Sequence, residues 1–263
     1  MDAVTFHRYV ALGDSFTEGV GDADPSRPNG LRGWADRVAE VLATRTDDFG
    51  YANLAIRGRK LGPILAEQLE PALALKPDLV TIYAGANDIL RPAVDLDALV
   101  AAYDEALGKL VDTGAKVVVW TAYDVGGSKV FGALRGRFAL YNELVREVAD
   151  RRGLTVVDFW RFAEYREWRM WDEDRMHMGP AGHQQMAIRV LETLGIEHDL
   201  EPLPLSDPGT THAKAMLRGQ ALWVRDHAVP WVQRRVTGKS SGDGIEPKRA
   251  TLLPISAPAT EVR

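Results

Sequence analysis

The sequence predicts a three-layer α/β fold built on a parallel sheet. Two features of the chain carry that reading. Short β-branched runs recur at 9–12 (YVAL), 51–56 (YANLAI), 78–85 (DLVTIYAG), 115–123 (AKVVVWTAY) and 154–159 (LTVVDF). They are nearly continuous apolar runs rather than alternating ones, which is how strands buried on both faces of a parallel sheet read. Segments with a helical apolar period lie between them, so strand and helix alternate along the chain as βα units do.

The elements follow in order. The first strand stops at Gly13, Asp14 and Ser15. Such residues commonly end strands, so this stretch alone leaves open whether Ser15 is punctuation or a presented hydroxyl. Trp34, Val38, Val41 and Leu42 then share a helical face. The second strand delivers RGRK (57–60), and the third delivers GAND (85–88). Leu96, Leu99, Val100, Tyr103, Leu107 and Leu110 form the next helical face, which ends near Gly114, a residue suited to a helix C-terminus. The fourth strand ends at Tyr123 and Asp124. Phe138, Tyr141, Leu144, Val145 and Val148 mark a helix that ends at Gly153. The fifth strand leads through a Trp- and Arg-rich stretch to DEDRMH (172–177). A last helix opens with Pro180 in its first turn and closes before Gly195. Residues 1–196 are therefore expected to form one α/β domain.

After Gly195 the character changes. Residues 197–210 are Pro-rich, and 211–236 space Leu217, Ala221, Val224, Ala228 and Trp231 helically, with Pro230 as a kink. A linker plus a C-terminal helical extension is expected over 197–236. Residues 237–263 are rich in Gly, Ser, Pro and charge, and a disordered tail is expected there. No internal repeat is present.

Composition narrows the function classes. With 263 residues and 46% hydrophobic residues the chain can bury a substantial core unaided. Its net charge of −5 argues against a nucleic-acid partner. The absence of cysteine excludes disulfides, thiolate chemistry and Cys-ligated metal. MDAVTFHRYV shows no basic leader followed by an apolar core, and no stretch approaches the roughly 20 apolar residues of a membrane span. The expectation is a cytoplasmic protein.

In open parallel α/β sheets, ligands bind beyond the carboxyl ends of the strands. Here those ends deliver a hydroxyl (Ser15), a glycine (Gly58), an amide (Asn87) and the pair Asp174-x-x-His177. Acyl transfer needs such parts: a nucleophile, a base, an orienting acid and donors for an oxyanion.

In these residues the chain resembles the SGNH hydrolases, also called the GDSL esterase/lipase family. GDSFTEG (13–19) resembles the first block of that family, NLAIRG (53–58) the second, GAND (85–88) the third and DRMH (174–177) the fourth, and the resemblance covers about residues 8–195. It implies a flavodoxin-like fold with a five-stranded parallel sheet, and a catalytic domain over 1–196. It implies a serine esterase that cleaves small acyl or acetyl esters through an acyl-enzyme on Ser15. His177 would then be the general base and Asp174 its orienting acid. The oxyanion would be met by the backbone N–H groups of Ser15 and Gly58 and by the Asn87 side chain. Asp14 and Asp88 are read as supporting residues that bond turn backbone around the site, and His183 as a helix-face residue. The expected partner is a small-molecule ester; no cofactor and no metal are implied. A metal site from Asp172, Asp174, His177 and His183 would use residues the triad already explains.

Two other readings are kept. A non-catalytic module could bind a small anion at the same strand ends, but it has no need of Asp174-x-x-His177. A lipid esterase would use 211–236, with Trp223, Trp231, Lys214, Arg218, Arg225, Arg234 and Arg235, as an interfacial helix at a membrane. A helix packed as a brace is the favoured reading of that segment. Arg57, Arg59, Arg135 and Arg137 either attract an anionic substrate or are merely solvated. Segments 124–137 and 160–173 are expected to wall the pocket. GKSSG (238–242) fits a nucleophile-elbow pattern but has no strand before it, and DFG (48–50) lacks every companion kinase motif.

Overall fold

A computed structural model of the chain describes residues 5–128, 131–205 and 240–256. One sheet runs through the molecule in the order β5-β4-β3-β1-β2-β6. Strands β1 (Arg8–Gly13), β2 (Gly50–Asn53), β3 (Leu79–Tyr83), β4 (Lys116–Trp120) and β5 (Thr155–Val157) are mutually parallel. All five coincide with the apolar runs. The helices are α1 (Ser15–Glu18), α2 (Gly33–Ala43), α3 (Leu61–Ala74), α4 (Ala86–Ile89), α5 (Leu96–Val111), α6 (Arg135–Arg152) and α7 (Pro180–Leu194).

Alternation along each strand builds the layers. Tyr9 and Ala11 of β1 join a buried cluster with Trp34, Val38 and Leu42 of α2 and with Met186, Val190 and Leu191 of α7. Val10 and Leu12 join the opposite cluster, with Ile64 of α3, Val100 and Leu107 of α5, and Val145 of α6. Each fully buried Leu or Val contributes about 1.5–3 kcal/mol relative to exposure. The sheet is thus covered on both faces, which is why its strands are apolar throughout rather than alternating.

Strand register places the loops that matter. Gly13 of β1 pairs with Tyr83 of β3, so the segments after both strands leave side by side. Beyond β2, the Leu54 N–H donates to the Ala11 carbonyl at 2.9 Å and the Ile56 N–H to the Gly13 carbonyl at 3.3 Å. These bonds carry the chain past the Ser15 turn to Gly58.

The sheet has a sixth strand, which corrects the expectation of a disordered tail over 237–263 for residues 240–256; the remainder lies outside the described residues. Strand β6 (Arg249–Leu253) lies antiparallel on the edge of β2. Ahead of it, Lys248 is buried with its Nζ 2.8 Å from Asp36 Oδ1. Tail composition argues disorder only when no apolar or ionic contact offsets the ordering entropy; here a five-residue edge strand, a buried ion pair and Ile255 supply such contacts. Of the expected linker, residues 197–205 run without regular structure and pack Leu200 and Leu205 against the core. The expected helix over 211–236 lies outside the described residues. Among the described residues, no helix is long and apolar enough to cross a membrane.

Candidate active site

The first strand hands the chain to α1 through a side-chain cap. Asp14 is extended, and its Oδ1 accepts the Phe16 N–H at 3.0 Å. This satisfies one of the unpaired donors at a helix start. Ser15 is therefore the first residue of a one-turn helix that Gly19 ends in the left-handed conformation. Phe16 anchors the turn from behind, its ring 4.1 Å from Tyr83 and 5.7 Å from Trp34.

Asn87, on α4, is aimed at the same place. Its Nδ2 donates to Asp14 Oδ2 at 2.8 Å and to the Arg59 carbonyl at 3.0 Å. Asp88 accepts the Leu61 N–H at 2.9 Å and caps α3 from a distance. The two acids thus bond turn backbone and side chain around the site. Burial raises the Asp14 carboxyl to about 7 even though the Phe16 N–H and the nearby His177 favour its charged form.

Gly58 has φ +74°, a left-handed conformation that favours glycine. The loop it occupies is held by Glu18, which is fully buried. Glu18 Oε2 accepts the Arg57 N–H at 2.7 Å, and its two oxygens pair with the Arg57 guanidinium. Among the described residues, the N–H groups of Ser15 and Gly58 have no acceptor.

Asp174 and His177 occupy a tight turn. Asp174 Oδ1 accepts the N–H of Met176 at 2.8 Å and of His177 at 2.9 Å, and Arg175 adopts φ +56°. Asp174 Oδ2 lies 2.5 Å from His177 Nδ1. The turn is closed by the Asp172 N–H on the His177 carbonyl at 2.8 Å and by a bridge between Trp171 and Met178. Burial pushes the Asp174 carboxyl up, but the His177 hydrogen bond and charge and the two backbone donors outweigh it and hold it low. An ionised Asp174 is an acceptor only, so the Nδ1 proton sits between the two and His177 Nε2 is left for chemistry. Gly21, just past α1, packs so closely on Met178 that a Cβ there would strike the Met178 carbonyl, which brings this turn against the Ser15 turn. Ser15 Oγ and His177 Nε2 share no hydrogen bond in this structure. Such links often tighten only with substrate bound.

Other residues take places the sequence did not indicate. His183 lies on α7, on a face that is fully buried. Its Nδ1 accepts the Trp34 N–H at 3.2 Å and its Nε2 donates to the Val20 carbonyl at 3.1 Å, tying α7 to α2. Burial lowers its pKa to about 4. The four arginines are all engaged: Arg57 by Glu18, Arg59 by Glu67 and Asp243, Arg135 by Asp124, and Arg137 by the carbonyls of Ile89, Arg91 and Val94. Neither a free anion-attracting patch nor plain solvation describes them. The segment 160–173 forms short 3-10 turns with Tyr165 and Met170 buried, and it sets Trp171 4.8 Å from Tyr123 just ahead of Asp174. Glu18 and Lys248 carried no signal in the sequence, because each acts through a partner far along the chain. Among the described residues, no group of His, Cys, Asp and Glu could hold a metal ion.

A profile of the GDSL-like Lipase/Acylhydrolase family matches residues 11–185. No curated protein matches the chain. Among solved structures, the α/β hydrolase LAE5 from the metagenome of Lake Arreo, Spain, is 24% identical with a TM-score of 0.62, covering 74% of this chain and 98% of its own. The acetylxylan esterase Axe2 from Geobacillus stearothermophilus is 24% identical with a TM-score of 0.61, covering 75% and 98%. The acetyl xylan esterase AlAXEase is 21% identical with a TM-score of 0.57, covering 71% and 98%. At these identities the likeness speaks for the fold. With the family profile spanning the strand ends that carry Ser15, Gly58, Asn87, Asp174 and His177, the chain belongs to the GDSL-like lipase/acylhydrolase family and is a carboxylic ester hydrolase.

Proposed function

We propose that the protein is a serine esterase that hydrolyses small carboxylic esters, acetyl esters foremost, through an acyl-enzyme on Ser15. The observation that carries this reading is the Asp174–His177 pair, held by its own turn against the turn that presents Ser15. Ser15 Oγ attacks the ester carbonyl and its proton passes to His177 Nε2, whose imidazolium is stabilised by Asp174. The carbonyl oxygen becomes an oxyanion, met by the N–H groups of Ser15 and Gly58 and by Asn87. Collapse breaks the bond to the alcohol oxygen, which takes the proton from His177. Water then attacks the acyl-enzyme, His177 accepts its proton, and the same proton returns to Ser15 as the acid leaves.

Asn87 has two amide hydrogens, and both have acceptors in this state. Contact with an oxyanion exchanges the Arg59 carbonyl for substrate while Asp14 keeps the amide in place. The acetyl preference is supported by the acetylxylan esterases among the structural neighbours. Two structures of Axe2 are catalytic mutants of that enzyme, one at a serine and one at a histidine.

The test is kinetic. On a panel of p-nitrophenyl esters, kcat/KM should be highest for acetate and fall with acyl length. Ser15→Ala should lower kcat by about 10⁴ or more with an unchanged melting temperature. A Ser15→Ala enzyme that keeps its rate removes the acyl-enzyme, and a rate that rises with chain length removes the acetyl preference.

A further inference from the structure

We infer that the C-terminal segment Ser240–Lys248 is a positioning element of the active site, clamping the Arg57–Arg59 loop from outside and so fixing the oxyanion donors. The inference rests on the oxyanion-hole reading given above. The family profile ends at residue 185, so this segment lies beyond the part of the chain that the profile matches.

The contact is close. A Cβ placed on Gly58 would come within 2.6 Å of Ser241 Oγ and 2.7 Å of Ser240 Oγ. A Cβ on Gly242 would strike the Arg57 carbonyl oxygen. The loop and the segment therefore pack without room for a side chain at either glycine, and the loop cannot move outward without displacing the segment. Ser240 Oγ lies 3.5 Å from the Arg57 carbonyl, and Asp243 Oδ1 pairs with the Arg59 guanidinium at 3.0 Å. The segment braces itself as well. Asp243 Oδ2 accepts the Ser240 N–H at 2.9 Å, and Ser240 Oγ accepts the Gly242 N–H at 3.2 Å. Ser240 thus sits in the GKSSG pattern as a structural hydroxyl, bonded on both sides.

The segment is anchored where it leaves the loop. Lys248 Nζ donates to Asp36, to the Arg32 carbonyl at 2.6 Å and to the Leu31 carbonyl at 3.4 Å. Asp36 also accepts the Tyr51 hydroxyl at 2.9 Å. Strand β6 then locks onto β2.

The loop is consequently gripped from two sides, by Glu18 within and by Ser240–Asp243 without. Its Gly58 carries one proposed oxyanion donor. Its Arg59 carbonyl accepts from Asn87, another proposed donor, and so keeps that amide aimed until the oxyanion takes the carbonyl's place. Donors aimed at an oxyanion act through preorganisation, and a glycine loop left free would lose part of that effect. A clamp that fixes the loop therefore acts on the transition state more than on substrate binding.

The experiment uses the full chain. Ser240→Ala/Asp243→Ala removes both polar contacts at a site where the Asp243 side chain is 57% exposed, so folding is not at stake. Gly242→Ala pushes a methyl group into the Arg57 carbonyl. On p-nitrophenyl acetate, the double variant should lose about 10-fold in kcat with KM and melting temperature near wild type, and Gly242→Ala should lose more. Inactivation by a phosphonate, whose adduct also places an oxygen at the oxyanion position, should slow in parallel. Ser15→Ala is measured beside them. If Ser15→Ala keeps the wild-type rate, the underlying site assignment fails. If Ser15→Ala is inactive and both segment variants keep wild-type kcat, the clamp is overturned. A rise in KM at constant kcat would also overturn it, because the segment would then only line the substrate path.

Discussion

Residues within each block are separated by so few positions that local sequence already groups them. Asp14 caps the helix that Ser15 opens, and Asp174 reaches His177 across a three-residue turn. That is why Ser15, Asp174 and His177 could be singled out as candidates from the sequence. What could not be read is pairing between distant residues. Glu18 meets Arg57 across 39 positions, and Lys248 meets the Arg32 carbonyl across 216. No local period records such contacts. At this scale two outcomes are expected. Asn87→Ala should lower kcat by about 10²–10³ with little change in KM, measured on p-nitrophenyl acetate; a loss of stability alone would make Asn87 a turn residue. Asp174→Asn should lower kcat by about 10⁴, because the amide no longer fixes the proton on His177 Nδ1, and a small effect would argue for another orienting group.

Elements differ in how openly the chain announces them. The five parallel strands are apolar throughout because both faces of the sheet are covered, and that pattern is visible in sequence. Strand β6 has one neighbour only and shows no such run: its residues are mostly exposed or half-buried. Averaged over a tail of Gly, Ser and Pro, a five-residue edge strand disappears; the one local hint is ATLL followed by Pro254, a residue that ends a strand. Its order comes from Lys248 and Asp36, both fully buried at their side chains. Removing residues 240–256 is therefore expected to destabilise the protein. Lys248→Met should destabilise the protein by about 3–5 kcal/mol in a denaturant melt, because Asp36 is left buried without its cation. Asp36→Leu/Lys248→Met should recover much of that loss. Equal stability of the single variant and wild type would show that the pair does not hold the segment.

The molecule as a whole brings its candidate site residues to one edge of a covered sheet and ties its layers together with buried polar contacts. His183 is one such tie, linking α7 to α2 and to the turn after α1. Burial lowers its pKa from 6.5 to about 4 in the folded protein. Between those values the unfolded chain binds a proton that the folded chain does not. Stability contributed by neutral His183 is therefore complete above about pH 6.5 and is lost as pH falls toward 4, by on the order of 3 kcal/mol. Melting temperature should fall through this window in wild type, and His183→Gln should flatten that limb; an equally steep limb in the variant would assign the acid sensitivity to other groups.

The central claim, that Ser15 carries the acyl group, is tested most directly by labelling. The enzyme is treated with a p-nitrophenyl phosphonate, its intact mass is recorded with its residual activity, and the modified peptide is sequenced by mass spectrometry. One phosphonyl group per chain on Ser15, appearing in step with complete loss of esterase activity, is the predicted result. A label on Ser240 or any other serine, or full modification of Ser15 with activity retained, would contradict the account.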